Sequence, residues 1–331
     1  MSEARRLAIL DDFQDVALDH GDWTKVGDSF AIDVFRDWLP PGEERARILA
    51  PYEVIVAMRE RTPFPAALID ALPNLRLLVT TGMWNRSIDH EAAARHGITV
   101  SGTGSSPQAP VELTWALILG AARHIAAEDA SVRQGRWQTR VGTELHGKTL
   151  AVLGLGRLGR EVARIGQAFG MKVIAWSTNL TPEHAVQAGA EYVSKEELFR
   201  RADVLTLHVI LGDRNRHVVG PKELALMKPT SILVNAARGP LVDEGALVEA
   251  LENSRIACAA LDVYDTEPLP ANHPLLQTPN TVLTPHVGIS TDANYAVYYR
   301  DAAENVLAWL AGAPIRVVDG KRPTTGAWSA S

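Results

Sequence analysis

Three polar side chains in the second half of the chain have types that suit proton transfer and anion binding. Arg238, Glu267 and His286 each follow a different apolar run. A histidine exchanges protons near neutral pH, a carboxylate orients its ring, and a guanidinium binds a carboxylate through two hydrogen bonds. Taken singly, each residue is also typical of a surface charge or an ordinary loop.

A glycine-rich turn precedes these residues along the chain. The apolar stretch 150–153 leads into Gly154, Gly156 and Gly159, which match the pattern G-x-G-x-x-G. The first glycine permits a tight turn, the second lets a pyrophosphate approach, and the third lets helix and strand pack closely. A helix pattern and a second apolar stretch, 172–176, come next. This context indicates a dinucleotide site rather than a merely structural turn.

The turn and the three side chains together predict hydride transfer. A hydride exchanged with a nicotinamide needs a carbon that bears a hydroxyl or carbonyl group, with a proton donor or acceptor beside it. We therefore expect His286 to act as the acid or base, with Glu267 orienting its ring. Arg238 is expected to bind a substrate carboxylate and to polarise the reacting carbonyl.

The elements that must position these residues follow from nearly continuous apolar runs, which are typical of parallel strands buried on both faces. Helix-like segments alternate with the runs, so the pattern predicts doubly wound parallel sheets. In the first third we expect strands at 7–10, 32–35, 54–58, 75–79 and 98–100, with helices at 43–49, 65–72 and 89–96.

A second series of strands and helices begins at Leu150. One long helix is predicted over 111–133 ahead of it, and a final helix over about 290–311. The strands are expected at 150–154, 172–177, 191–193, 203–209, 231–236, 258–263 and 281–284. The helices are expected at 159–169, 183–188, 195–201, 221–227 and 243–253. We expect a dinucleotide-binding domain, 106–291, inserted into a substrate domain, 1–105 plus 292–331, with the active site in a cleft between them.

Composition excludes several other classes. The net charge is −6 and no basic tract is present, which argues against a nucleic-acid partner. The single cysteine, Cys258, cannot form a disulfide within the chain and favours a reduced, cytoplasmic setting. The first residues lack the apolar region of a signal peptide, and no apolar run approaches the length of a membrane span. The ten histidines show no metal-ligand spacing, so we expect no metal.

At this point the chain resembles the D-isomer-specific 2-hydroxyacid dehydrogenases, within the branch often called phosphoglycerate-dehydrogenase-like. The resemblance covers roughly residues 7–318 and rests on the motifs 154–159, 235–243, 261–263, 267–268 and 285–286. It implies a flavodoxin-like substrate domain and an inserted Rossmann NAD(P)-binding domain. It also implies a homodimeric oxidoreductase that interconverts 2-keto acids and D-2-hydroxy acids, with hydride transfer between nicotinamide C4 and substrate C2.

The resemblance also assigns residues. It implies Arg238, Glu267 and His286 as the catalytic set, and it places Asp262 near the nicotinamide carboxamide. Thr206, His208 and Val209 would lie along the nicotinamide ribose, although 205–210 is equally typical of an ordinary buried strand. With the glycine turn, the expected cofactor-binding residues are Gly154, Gly156, Arg157, Leu158, Gly159, Ser177, Thr206, His208, Val209, Ala236 and Asp262.

Substrate binding is expected in the first domain. The family holds the substrate carboxylate on backbone N–H groups of a loop after the fourth strand, which implies Gly82 and Met83 here. Trp84 stands where the family often has a second glycine, so its indole either caps the pocket or packs against the linker. Arg59 and Arg61 follow the third strand, and one of them either meets an acidic substrate or belongs to a solvated turn. Glyoxylate, hydroxypyruvate, pyruvate, longer keto acids and 3-phosphohydroxypyruvate all remain open.

The cofactor preference and the class of activity have alternatives. Ser177 stands where NAD sites usually carry an acid for the ribose 2′-hydroxyl, and no basic residue replaces it. The sequence therefore admits NAD or NADP, with NAD slightly favoured. A redox-sensing binding protein on the same fold is the alternative to an enzyme. A formate-type dehydrogenase is disfavoured, since those relatives lack the acid that Glu267 supplies.

Overall fold

A computed structural model describes residues 4–320 of the chain. Contacts between residues divide the chain into two units: unit 1 comprises Met1–Ser106 and Ser290–Ser331, and unit 2 comprises Pro107–Ile289. The predicted substrate domain includes residues 1–3 and 321–331, which lie outside the described residues. Each unit contains its own parallel sheet.

Five parallel strands form the sheet of unit 1. They are β1 (Arg6–Ile9), β2 (Ala31–Val34), β3 (Val54–Ala57), β4 (Leu77–Thr80) and β5 (Thr99–Ser101). Their order is β2-β1-β3-β4-β5, which is the flavodoxin-like order. Every residue of β3 and β4 is buried, because helices cover both faces, and this explains their continuous apolar sequence.

Helices of unit 1 flank this sheet. They are α1 (Trp23–Gly27), α2 (Glu43–Leu49), α3 (Ala66–Asp70), α4 (His90–Arg95) and α12 (Asp292–Leu310). The sequence did not predict α1, since a five-residue helix with only Trp23 and Val26 buried has too few positions to show a helical period. Helix α12 holds the loop after β5: Asp301 Oδ2 accepts from Gly104 N at 2.8 Å, and Asn305 Nδ2 donates to Gly102 O at 2.8 Å.

Seven parallel strands form the sheet of unit 2. They are β6 (Thr149–Leu153), β7 (Lys172–Trp176), β8 (Glu191–Tyr192), β9 (Val204–Leu207), β10 (Ile232–Asn235), β11 (Cys258–Leu261) and β12 (Thr281–Leu283). Their order is β12-β11-β10-β9-β6-β7-β8. Counted from β6, this is the Rossmann order with one added strand. The two sheets confirm the predicted fold class.

Seven helices of unit 2 lie between residues 107 and 289. They are α5 (Ala109–Ala122), α6 (Ile125–Arg133), α7 (Arg157–Ala168), α8 (Pro182–Gln187), α9 (Lys195–Arg201), α10 (Pro221–Leu226) and α11 (Glu244–Glu252). The prediction of one helix over 111–133 was wrong. His124 adopts φ 53° between α5 and α6, in the left-handed region that a continuous helix cannot contain. Helix α6 buries only Ser131, so no apolar face extends α5 onward.

The parallel direction of the strands in unit 2 decides where the loops lie. The loops that follow β6, β9, β10, β11 and β12 all leave the carboxyl edge of one sheet, where ligands of such folds bind. In the part of the chain that the structure describes, no helix combines the length and apolarity that a membrane crossing requires.

Candidate active site

The three glycines of the turn after β6 have two different roles: two are required by packing, and one leaves open space beside a helix. A Cβ on Gly154 would lie 2.7 Å from the backbone carbon of His208, and a Cβ on Gly159 would lie 2.1 Å from Gly154 O. The packing of the protein itself therefore requires these two glycines. Gly156 has nothing within 4 Å of its Cβ position and precedes α7, so open space lies beside the N–H groups of that helix. This cradle fits a dinucleotide pyrophosphate.

His208 lies against this turn at the end of β9. Its N–H donates to Leu153 O at 2.8 Å, and its ring Nε2 lies 2.9 Å from Thr206 Oγ1. Burial lowers the pKa of His208 to about 4. The ring is therefore neutral at pH 7, and it pairs with Thr206 as a hydrogen-bonding group without charge.

The remaining predicted cofactor residues lie at the same edge of the sheet. Ser177 directly follows β7, whose last residue, Trp176, accepts a hydrogen bond from Gly154 N at 2.9 Å. Arg157 and Leu158 begin α7, and Val209 follows His208. Ala236 follows β10.

His286 and Glu267 form a hydrogen-bonded pair. Glu267 Oε2 lies 2.5 Å from His286 Nδ1, and Glu267 Oε1 accepts from Tyr264 N at 3.0 Å. Burial raises the pKa of Glu267, but the hydrogen bond and charge of His286, the bond from Tyr264 and the charge of Arg238 outweigh it and hold that pKa below its usual range. The carboxylate is therefore ionised at neutral pH, and it fixes the ring with Nε2 on the side away from Glu267.

Asp262 holds the loop that carries His286. Its Oδ1 accepts from Thr284 Oγ1 at 2.6 Å and from Val287 N at 2.9 Å, and its Oδ2 accepts from Gly288 N at 2.9 Å. Burial raises the pKa of Asp262, and these bonds oppose the increase. His286 itself has φ 52°, a left-handed conformation that this tethered loop imposes. The predicted contact of Asp262 with a nicotinamide carboxamide stays a prediction.

Arg238 is held by the end of β10. Asn235 donates from Nδ2 to Arg238 O at 2.9 Å and accepts at Oδ1 from Ala237 N at 3.1 Å. The next residue, Gly239, lies against the turn that leads to Glu267: a Cβ there would lie 2.0 Å from the carbonyl carbon of Tyr264. This close approach brings Arg238 to the Glu267 turn, in agreement with its effect on the pKa of Glu267.

The predicted substrate residues lie in unit 1, in the loops after β3 and β4. Arg59 has φ 51°, and its N–H donates to Thr81 Oγ1 at 2.9 Å. A Cβ on Gly82 would lie 2.2 Å from Arg59 Nη1, so the guanidinium can occupy this position only because residue 82 has no side chain. Gly82 N donates to Thr103 Oγ1 at 2.8 Å. The N–H of Gly82 is thus used within unit 1, and the predicted role of Met83 N in anion binding stays a prediction.

A second arginine beside Arg59 is committed to unit 1. Arg61 donates from Nη1 to Asp11 O at 3.0 Å, and its guanidinium lies 4.8 Å from the ring centre of Phe13. Arg59 also has a partner in unit 1, since its Nε lies 3.9 Å from Glu60 Oε2. Trp84 is partly buried in the same loop as Gly82.

Two residues that shape the site were not assigned roles from the sequence. Asn235 looks like the last residue of a strand, and Tyr264 looks like core. The Tyr264 hydroxyl donates to Thr284 O at 3.0 Å and so ties the Glu267 turn to the His286 loop. Two signals in the sequence could have indicated them: Asn235 ends a buried strand, and Tyr264 stands in an apolar run. Both side chains carry polar groups that must find hydrogen-bond partners when buried.

The comparisons with known proteins all point to one family. The family model for "D-isomer specific 2-hydroxyacid dehydrogenase, NAD binding domain" matches residues 115–288. The chain is 41% identical over 302 residues to a glyoxylate reductase of Aeropyrum pernix, covering 86% of this chain and 88% of the relative. It is 40% identical over 262 residues to a D-3-phosphoglycerate dehydrogenase of Methanocaldococcus jannaschii, covering 78% of this chain and 50% of the relative.

Solved structures show the same likeness. The crystal structure of a putative D-3-phosphoglycerate dehydrogenase oxidoreductase from Ralstonia solanacearum has a TM-score of 0.89 at 36% identity, covering 95% of this chain and 96% of that one. The chain therefore belongs to the D-isomer specific 2-hydroxyacid dehydrogenase family. It is an NAD(P)-dependent oxidoreductase that acts on small 2-hydroxy or 2-keto acids. Within residues 4–320, no cluster of three or more His, Cys, Asp or Glu side chains could hold a metal ion.

Two glycine variants separate folding from binding at the cradle. Gly159→Ala forces a Cβ into Gly154 O, so we expect it to lower the free energy of unfolding by roughly 1–3 kcal/mol. Gly156→Ala meets open space, so stability should stay near that of the wild type while NADH affinity, measured by fluorescence titration, falls at least about ten-fold. Unchanged NADH affinity in Gly156→Ala would contradict the placement of the pyrophosphate.

The pKa of His208 predicts an acid sensitivity of folding. Its folded pKa of about 4 lies below the ordinary 6.5, so the unfolded chain binds the proton first and stability falls as pH drops from 6.5 toward 4. In His208→Gln, urea unfolding at stepped pH should show a slope that is shallower by up to about 1.4 kcal/mol per pH unit. The exposed His184→Gln is the control and should keep the wild-type slope.

Proposed function

We propose that this protein reduces a small 2-keto acid to the D-2-hydroxy acid, and catalyses the reverse oxidation, with His286 as the acid–base group. The observation that carries the proposal is the pair of Glu267 Oε2 and His286 Nδ1 at 2.5 Å. The pair fixes the ring and directs Nε2 to the substrate. Arg238 lies beside the same turn, and the dinucleotide cradle follows β6 of the same sheet.

The proton steps follow from this geometry. Reduction requires one hydride at C2 of the keto acid, which a bound reduced nicotinamide supplies. His286 donates the proton from Nε2 to the carbonyl oxygen, so that the C=O bond becomes CH–OH. Glu267 stays ionised and accepts the hydrogen bond from His286 Nδ1. Its negative charge stabilises the protonated ring before the transfer. In the oxidation direction His286 accepts the hydroxyl proton at the same nitrogen.

Anion binding is divided among three groups in the proposal. Arg238 binds the substrate carboxylate and polarises the carbonyl, because a guanidinium offers two parallel N–H donors. Met83 N and the guanidinium of Arg59, beside Gly82, are the donors that we propose for an anion within unit 1. Trp84 in this loop restricts the size of the substrate side chain. This favours glyoxylate, the substrate named in one group of relatives, over 3-phosphohydroxypyruvate.

Unit 2 is the proposed dinucleotide-binding domain, and unit 1 is the proposed substrate domain. The cofactor residues are Gly156 and the first turn of α7 at the pyrophosphate, with Thr206, His208 and Val209 at the ribose side. Ser177 places neither a carboxylate nor a cation at the end of β7. We propose that both NAD and NADP are accepted and that NAD is preferred, since a 2′-phosphate would meet no positive charge there.

A homodimer is also part of the proposal. The segment 125–141, comprising α6 and the following loop, exposes Trp137 at 77% and Val141 at 92%, with Ile125 and Val132 also exposed. Side chains of this size rarely stay open to water in one segment, and a second copy of the chain would cover them. Trp137→Ser should then lower the mass in light scattering from dimer toward monomer, whereas a monomeric wild type would contradict the dimer.

The first experiment is a spectrophotometric assay of reduced-nicotinamide oxidation. Glyoxylate, hydroxypyruvate, pyruvate, a longer keto acid and 3-phosphohydroxypyruvate are each tested with NADH and with NADPH. Turnover on a keto acid is the expected result, with NADH giving the higher kcat/KM. Tight NADH binding without turnover on any of these acids would contradict the enzyme and favour a sensing role.

Loss of the acid–base group should stop turnover and leave binding intact. In His286→Asn we expect kcat to fall by roughly 10²–10⁴-fold, because the proton must then come from water. The affinity for NADH should change little. His96→Asn is the matched control, since His96 also bonds a carboxylate, Asp70 Oδ1 at 2.7 Å, on the surface of unit 1. Wild-type turnover in His286→Asn would contradict the mechanism.

A further inference from the structure

Another histidine–carboxylate pair of unit 2 lies beside the turn that carries Glu267. His273 Nε2 lies 2.8 Å from Glu244 Oε1, and the two side chains are only 18% and 17% exposed. Glu244 is the first residue of α11. No step of the proposed mechanism uses either residue.

The other oxygen of Glu244 binds the turn itself. Asp265 N donates to Glu244 Oε2 at 3.2 Å, and the preceding amide, Tyr264 N, donates to Glu267 Oε1 at 3.0 Å. Two consecutive backbone N–H groups are therefore held by two carboxylates. One carboxylate belongs to the acid–base pair with His286, and the other belongs to the pair with His273.

The tautomer of His273 is fixed by its own backbone. Leu275 N donates to His273 Nδ1 at 3.3 Å, so Nδ1 is an acceptor and the proton lies on Nε2. Nε2 therefore donates to Glu244. A hydrogen bond to a carboxylate that is shielded from water is stronger than one between neutral groups, so it holds Glu244 in one orientation.

The turn needs such a support because burial does not hold it. Asp265, Thr266 and Pro268 are exposed and the side chain of Glu267 is only partly buried, so apolar packing fixes only the neighbouring Tyr264. A shift of the turn would change the distance from Glu267 to His286, and displacements of about 1 Å at a catalytic group reduce rates by up to about 10²-fold.

We propose that Glu244 and His273 are positioning residues, which hold the turn 264–267 so that Glu267 meets His286. The inference rests on the proposed function and extends it to a pair of residues that contact neither substrate nor cofactor. The order of contacts is His273 to Glu244, Glu244 to the turn, and Glu267 of the turn to His286.

Two variants test the pair, and a matched control is available in the same unit. Glu244→Ala removes both contacts. His273→Asn removes the donor at Nε2 while its side-chain oxygen can still accept from Leu275 N. The control is Glu223→Ala: Glu223 accepts from Lys195 Nζ at 2.7 Å and from Gly220 N at 3.1 Å, and it is 20% exposed. It thus joins a side-chain donor to a backbone N–H, as Glu244 does, but away from the site.

Kinetics and a spectroscopic signal are measured in each variant. With the best keto acid of the panel, kcat should fall about ten-fold in Glu244→Ala and His273→Asn, while KM for NADH changes less than about two-fold. The acid limb of kcat/KM should move to higher pH, because Glu267 separated from His286 regains the ordinary carboxyl pKa. The low-field proton resonance of His286 Nδ1–H, assigned by its loss in His286→Asn, should move upfield in both variants and stay in place in Glu223→Ala.

The outcomes separate this inference from the proposed function. An inactive wild type would contradict the function, whereas an active wild type with unchanged kcat, acid limb and resonance in both variants would overturn the positioning role. If Glu244→Ala unfolds, His273→Asn decides the question alone. Equal losses in Glu223→Ala would also overturn it, since a general loss of stability would then explain the effect.

Discussion

The hydrogen bond between Glu267 and His286 is the interaction on which the proposed site depends. It joins the loops that follow β11 and β12, and these loops leave the same edge because the strands pair in parallel, with Leu261 opposite Leu283. The bond forms only if both loops are held. Asp262 binds the His286 loop through two backbone amides and a hydroxyl. In the other loop, the N–H of Tyr264 binds Glu267. The hydroxyl of Tyr264 donates to Thr284 O and so joins the two loops. The two loops are thus tied to the sheet by hydrogen bonds of the protein itself, which lowers the cost of orienting the reacting groups.

Holding the two loops in this geometry requires several residues of unit 2 to adopt energetically unfavourable states. Asp262 is a carboxylate with 1% of its surface exposed, and such a group is tolerated only when its oxygens are hydrogen-bonded. His286 has φ 52°, which costs of order 1–3 kcal/mol for a residue other than glycine. Gly154 and Gly239 accept backbone contacts that no other residue could make. At this site the packing of several strand ends therefore outweighs local conformational preference. This is common where catalytic groups must be held in one geometry.

Much of the fold could be predicted from the sequence, because buried parallel strands are continuous apolar runs and each of the twelve expected strands is present within a few residues. The break at His124 could not be predicted, since a left-handed residue inside a helical pattern has no compositional signal other than glycine or asparagine. Strand-end position indicated Arg238, Glu267 and His286 as candidates. Two contacts could not be predicted: the hydrogen bond from Gly82 N to Thr103, and the pair of Glu244 with His273. They join residues far apart in the sequence, and the spacing of apolar residues carries no information about such contacts.

The most direct measurement is isotope transfer. Wild-type protein is incubated with a keto acid of the panel that it turns over to a chiral product, such as pyruvate or hydroxypyruvate, and with reduced nicotinamide cofactor that carries two deuterium atoms at C4. The product is analysed by mass spectrometry and chiral chromatography. The account predicts a 2-hydroxy acid of D configuration that carries one deuterium at C2, and formation of this product roughly 10²–10⁴-fold more slowly by His286→Asn. A product of L configuration, a product without deuterium at C2, or equal product from His286→Asn would contradict it.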